Sequence, residues 1–125
     1  ISGERTWEEQ AKIWAQGRST PGPIVTKSQP GSSPHNYAIA VDFCHDKDKQ
    51  REGLQPDWNL ESYRILGEEA KKLGLESGFW WTKFVDAPHV QLPLSKVGLR
   101  IADLRAAYNA GGKAAVFRLL NKYNW

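Results

Sequence analysis

A single cysteine, Cys44, stands among the 125 residues, so no internal disulfide can brace the fold. The same scarcity excludes a Cys-rich zinc knuckle, which needs several thiolates. Histidines number only three, so a bound metal would have to be held by a few nitrogen and oxygen donors. No run approaches the roughly 18 apolar residues of a membrane helix, which argues against membrane insertion, and the opening residues lack the pattern of a signal peptide. Repeats, low-complexity tracts and linker-like stretches are also missing. The net charge of +3 favours polyanionic surroundings such as nucleic acid, anionic lipid or an anionic bacterial wall. The basic residues are scattered, however, with no stripe interleaved with aromatics, and nucleic-acid binding is not expected.

What is present is globular in character. Hydrophobic residues make up 40% of the chain, aromatics 11% with six Trp, and charged residues an ordinary 25%. The length suits one domain with one modest core over about residues 1–93, followed by a C-terminal helical extension at 94–125. The opening ISGERTWEEQ reads as a strand end feeding a helix, as in a truncated or processed piece. That helix, TWEEQAKIWAQG, has Thr6 as cap, Glu8 and Glu9 at its positive end, Gly17 at its stop, and an apolar stripe of Trp7, Ala11 and Trp14. GRSTPGPIVTKSQPGSSP holds four of the seven prolines and reads as a long loop with a short strand at Ile24 to Thr26.

Tyr37 to Phe43 reads as a strand that puts Ile39, Val41 and Phe43 on one face and Ala38, Ala40 and Asp42 on the other. CHDKDKQREGLQPDWN reads as a polar surface loop. LESYRILGEEAKKLGL reads as a second helix with a stripe of Tyr63, Leu66, Ala70 and Leu73, ended by Gly74. A later strand sets His89 and Gln91 on the face opposite Val90 and Leu92. Two short helices broken at Gly111-Gly112 complete an α+β pattern with a small antiparallel sheet flanked by helices.

Asp42 poses the chemical question, because a carboxylate on an apolar strand costs several kcal/mol unless it is paired, hydrogen-bonded or metal-bound. Three protein ligands with one open position describe a catalytic zinc site, and His35, Asp42 and His89 can supply them. Other readings stand beside this one. His35 follows a proline and suits a surface, Asp42 could cap a loop or pair with a lysine, and His45 competes as a partner of Asp42. Asp86 lies three residues before His89, where a carboxylate can act as general base and then general acid. Arg5 presents a planar fork suited to a substrate carboxylate or an oxyanion, or to a salt bridge with Glu8 or Glu9. Trp80 and Trp81 suit either a core or a cleft wall, and the amphipathic C-terminal segment suits packing or a wall-contacting surface.

Taken together, SGERTWEEQAKIWAQGRSTPGPIVTKSQPGSSPHNYAIAVDF and VDAPHVQL resemble the zinc D-Ala-D-Ala carboxypeptidases of the VanY type. The likeness is to their L-alanyl-D-glutamate endopeptidase branch, known from phage endolysins and Bacillus wall hydrolases. It implies a hedgehog/D-Ala-D-Ala-peptidase-like fold and a Zn2+ held by His35, Asp42 and His89. It also implies Asp86 as the catalytic carboxylate, Arg5 as oxyanion stabiliser, and Ser33 and Gln10 as substrate-binding groups. The expected reaction is hydrolysis of the L-Ala/D-Glu bond of peptidoglycan stem peptides by a monomer working at the bacterial wall, secreted or released at phage lysis. A D,D-carboxypeptidase with the same site is the alternative, and a non-catalytic zinc-stabilised wall-binding module a further one. Lysostaphin-type sites use His-x-His, but Ala87 stands where the extra histidine would be. The family commonly has glycine where Ala38 stands, and usually a helix before the arginine segment.

Overall fold

In the computed structural model, residues 2–48 and 50–125 are described, and they form an α+β chain. Backbone contacts divide it into two compact units, residues 2–3 with 40–93 and residues 4–39 with 94–125.

The first unit is built on a three-stranded antiparallel sheet. Strand β1 (Ala40–Asp42) pairs with β5 (His89–Gln91), which pairs in turn with β4 (Glu76–Ser77). The register sets Asp42 directly opposite His89, and Glu76 and Ala40 on either side of Gln91. Ser2 extends β1 through two backbone hydrogen bonds to Asp42. The segment expected as a polar loop instead contains a hairpin, β2 (His45–Asp46) paired with β3 (Pro56–Asp57). Its polar residues hid it, because the pairing is reinforced by side-chain bonds rather than by alternating apolar residues. Asp57 accepts from the Ser62 hydroxyl, the Asn59 amide and His45 Nδ1, while Asp46 accepts from the Gln55 and Asp48 amides.

Helix α2 (Arg64–Lys72) follows a 3₁₀ turn at Leu60–Tyr63 and packs on β4. Tyr63 and Ala70 are buried as expected, but Leu73 is exposed. The helix stops one residue before it, and Gly74 at φ 73° turns the chain away. Gly67 takes the inner position instead, where an added Cβ would press on Phe79 and Trp80 at 3.1–3.2 Å and the Trp80 indole donates to the Gly67 carbonyl (3.0 Å).

The second unit joins helix α1 (Trp7–Ala15) to the long C-terminal helix α3 (Ile101–Leu120). Thr6 and Glu9 close a capping box at the start of α1. The inner face differs from the expected stripe. Ala11 is exposed and Gln10 is completely buried, so the face runs through Trp7, Gln10 and Trp14. Trp7 stacks on Tyr108 of α3 at 5.0 Å and meets Tyr37 edge-on. Leu104, Val116 and Leu120 complete this core. The break foreseen at Gly111-Gly112 is a kink inside α3, with both glycines outside helical dihedrals. No strand forms at Ile24 to Thr26. That loop is tied by side chains, Gln16 to the Pro23 carbonyl and Arg18 to the Thr26 carbonyl.

The strand expected from Tyr37 starts three residues late. Pro34–Tyr37 coil instead into a 3₁₀ turn, capped by Ser33 and Asn36, which ends at Ala38 in the left-handed region (φ 57°, ψ 30°). Ala38 is exposed, so its methyl group bears on backbone conformation rather than on a pocket. A left-handed non-glycine residue costs about 1–2 kcal/mol, partly offset by the larger entropy that glycine loses on folding. Ala38→Gly is therefore expected to stabilise the protein by roughly 0.5–1 kcal/mol. Urea denaturation checks this, and an unchanged or lower midpoint would contradict it.

In the hairpin, the Ser62 hydroxyl, the Asn59 amide and His45 lower the Asp57 pKa from 3.8 to about 2. A depressed folded value means that the ionised form stabilises the fold above the ordinary pKa, and that this contribution fades as pH falls through the folded one. Hairpin stability should hold down to about pH 4 and decline toward pH 2. Asp57→Asn should abolish that part of the acid dependence, as read by pH-dependent amide exchange of residues 45–57.

Candidate active site

Strand pairing carries the site in the first unit. Because β1 and β5 run antiparallel with Asp42 opposite His89, the two side chains leave the same face of the sheet, and Asp42 Oδ1 lies 2.9 Å from His89 Nδ1. Asp86 approaches the same nitrogen at 3.9 Å, on a turn whose carbonyl accepts from the His89 amide (3.0 Å). His89 is only 5% exposed, whereas half of the Asp86 side chain reaches solvent. A cavity of about 350 Å³ opens beside both carboxylates, lined also by Cys44, Trp58 and Pro88.

The second ring nitrogen of His89 is engaged as well, with Nε2 lying 2.8 Å from Gln91 Oε1. Burial works against the charged imidazolium, but the hydrogen bonds to Asp42 and Gln91 and the charge of Asp86 outweigh it, so the His89 pKa is raised above 6.5. A metal-ligating histidine needs a lone pair on one nitrogen and a hydrogen-bond acceptor facing the other. Here the amide oxygen keeps a proton on Nε2, and Nδ1 is the nitrogen turned toward two acids. This arrangement fits a cation. His45 is turned instead to Asp57, at 3.1 Å from Nδ1, which removes it as the competing partner of Asp42.

In the second unit, Ser33, His35, Gln10 and Arg5 are drawn together around one turn. Ser33 caps the 3₁₀ turn by accepting from the His35 amide (3.3 Å), and both residues are buried, not on a surface as a proline-flanked histidine suggests. The Arg5 amide donates to the His35 carbonyl (3.0 Å). The Arg5 guanidinium donates to Gln10 Oε1 (3.1 Å), and Gln10 spends its amide hydrogens on the Ser28 carbonyl (2.7 Å) and Thr26 Oγ1 (3.4 Å). Gln10 is fully buried, and its oxygen holds the Arg5 guanidinium.

Two residues that sequence reasoning passed over support these groups, one in each unit. Asn36 Oδ1 accepts from the Gly31 and Ser33 amides while its Nδ2 donates to the Arg5 carbonyl, which staples the His35 turn to the Arg5 segment. The Ser33-x-x-Asn36 spacing of a capping box was a usable signal. Gly78 lies beneath Asp86: its carbonyl accepts from the Asp86 amide (3.0 Å), and an added Cβ would stand 2.2 Å from the Asp86 carbonyl oxygen. Nothing local in the sequence announces that approach. Trp81 is also part of the site, with its ring 5.3 Å from that of His89.

Comparison with known proteins agrees with this geometry. A family model described as D-alanyl-D-alanine carboxypeptidase matches residues 26–92, more than half of the chain. The chain is also similar to the peptidoglycan L-alanyl-D-glutamate endopeptidase CwlK of Bacillus subtilis (strain 168), with 39% identity over 100 residues. That match takes in 72% of this chain and 57% of the relative, so the chain spans little more than half of the relative's length.

Gly78→Ala should force the Asp86 turn outward. The expected cost is about 1–3 kcal/mol, as for other overpacked sites, measured by denaturant unfolding. A variant as stable as the parent would show that the turn yields freely.

Proposed function

Because the chain belongs to the D-alanyl-D-alanine carboxypeptidase family, in its VanY-type endopeptidase branch, we propose that it is a zinc peptidase that cleaves the L-Ala/D-Glu bond of peptidoglycan stem peptides. The observation that carries this reading is the paired approach of Asp42 and Asp86 to one nitrogen of a buried His89 whose other nitrogen is committed to Gln91. His35, Asp42 and His89 would hold the metal, and as a donor set they could bind such an ion. A Zn2+ bound there supplies Lewis-acid chemistry, acidifying a water and polarising a carbonyl.

The chain's own residues supply the rest. Asp86, half exposed on its turn, takes the proton of the attacking water and delivers it to the departing amine, first as general base and then as general acid. Asp42 and His89 stay fixed on paired strands and do not carry protons during turnover. Arg5, steadied by the buried Gln10, offers its remaining guanidinium donors to the oxyanion that develops on the scissile carbonyl. Ser33 lies at the head of the His35 turn, where its hydroxyl proton can reach a peptide carbonyl while its oxygen caps the turn. The protein would work as a monomer at the bacterial wall, secreted or released at lysis.

The family model's description keeps a D,D-carboxypeptidase in view as the second reading. Digestion of purified muropeptides followed by mass spectrometry separates the two, since cleavage between L-Ala and D-Glu supports the proposal and release of free D-Ala rejects it. Asp86→Ala should keep the metal while turnover falls about 10²–10⁴-fold. Near-normal turnover would remove Asp86 from the mechanism.

A further inference from the structure

A ring of four side chains closes behind His89. Gln91 Oε1 faces His89 Nε2 (2.8 Å), Gln91 Nε2 donates to Glu76 Oε2 (3.3 Å), and Glu76 Oε1 accepts from the Trp81 indole (2.9 Å). The Trp81 ring completes the circuit by lying 5.3 Å from the imidazole, tilted by 42°. Strand pairing fixes its centre, because Glu76 and Gln91 are direct partners across β4 and β5.

Each member constrains the next. A glutamine side chain can present either its oxygen or its nitrogen to a neighbour, and the two choices have opposite effects on a histidine. With the oxygen toward Nε2, the proton stays on Nε2 and Nδ1 keeps a lone pair for a cation. With the nitrogen toward Nε2, the proton is driven to Nδ1 and the ligand is blocked. Glu76 is an acceptor only, so it selects the first orientation by demanding the amide hydrogens of Gln91. Trp81 is a donor only, so it holds Glu76 in place while its ring covers His89 from solvent.

We infer that Gln91, Glu76 and Trp81 form a positioning relay that sets which nitrogen of His89 is offered to the metal, with Glu76 as the residue that orients the amide. The inference rests on the zinc reading of the site. It adds three residues outside the ligand set and predicts a graded effect on the metal rather than on chemistry.

The test is zinc affinity, measured by competition with a chromophoric chelator, together with ¹⁵N spectra of the His89 ring in the zinc-loaded protein. Gln91→Leu should weaken zinc binding about 10–100-fold and expose Nε2–H to rapid exchange, as expected when an outer hydrogen-bond partner is lost. Glu76→Ala should have a smaller effect in the same direction. Glu76→Gln keeps one oxygen where Glu76 accepts through two, Oε1 from Trp81 and Oε2 from Gln91, so it can serve only one partner and should recover affinity in part, to a value between Glu76→Ala and the parent. Circular dichroism identifies any variant that fails to fold, and the Glu76 pair then decides alone. Equal affinity in Glu76→Ala and Glu76→Gln, or unaltered affinity in a folded Gln91→Leu, would overturn the relay while leaving the zinc reading intact. A parent protein that binds no zinc would overturn both.

Discussion

A buried imidazole flanked by carboxylates is the constraint on which the first unit turns. Taking His89 out of water is unfavourable unless both ring nitrogens are engaged, and the protein engages both, with Asp42 at one and Gln91 at the other. An opposite charge within hydrogen-bond distance offsets the burial of the imidazole, while the Asp42 side chain stays about a third exposed. The sheet is short, yet it holds Asp42 opposite His89 and Glu76 opposite Gln91. Three-residue strands suffice when the pairing fixes every position.

The second unit sets a cation among uncharged partners. Arg5 stands just ahead of α1, where the positive end of the helix disfavours it, and where Glu8 and Glu9 were reasonable partners. The structure instead gives it a neutral acceptor. Gln10 is enclosed in the core face of α1 and ties Arg5 to the loop carbonyl of Ser28, so the guanidinium is aimed without being neutralised. Asn36 performs a parallel service for the turn that carries His35. Both devices are uncharged side chains that use every hydrogen-bonding atom they have, which suits a site whose working groups must keep their charges.

The α+β class was legible in the sequence because the capping residues and glycine stops are local signals. Thr6 with Glu9, Gly74 and the Gly111-Gly112 break all act within a few residues of where they stand. The strand faces that carry Asp42 and His89 were legible through alternation, but the register that sets the two opposite each other was not. Other features depended on distant neighbours. The 3₁₀ turn at Pro34 competes successfully with strand propensity because Asn36 reaches back to Gly31 and Arg5, a contact no window of sequence reveals. Leu73 fits a helical stripe but lies beyond the last turn, and Gln10 interrupts an apolar face because its amide is needed inside. The hairpin at residues 45–57 escaped notice because polar side chains, not apolar alternation, secure it.

The Asp86 turn sits against Gly78 with no room for a side chain between them, while half of the Asp86 side chain reaches solvent. The Asp86 carboxylate can then reorient by rotation about its two side-chain torsions while the segment stays in place. Such rotations take picoseconds to nanoseconds, far faster than segmental opening. The carboxylate can therefore change its orientation without any rearrangement of the chain that bears it.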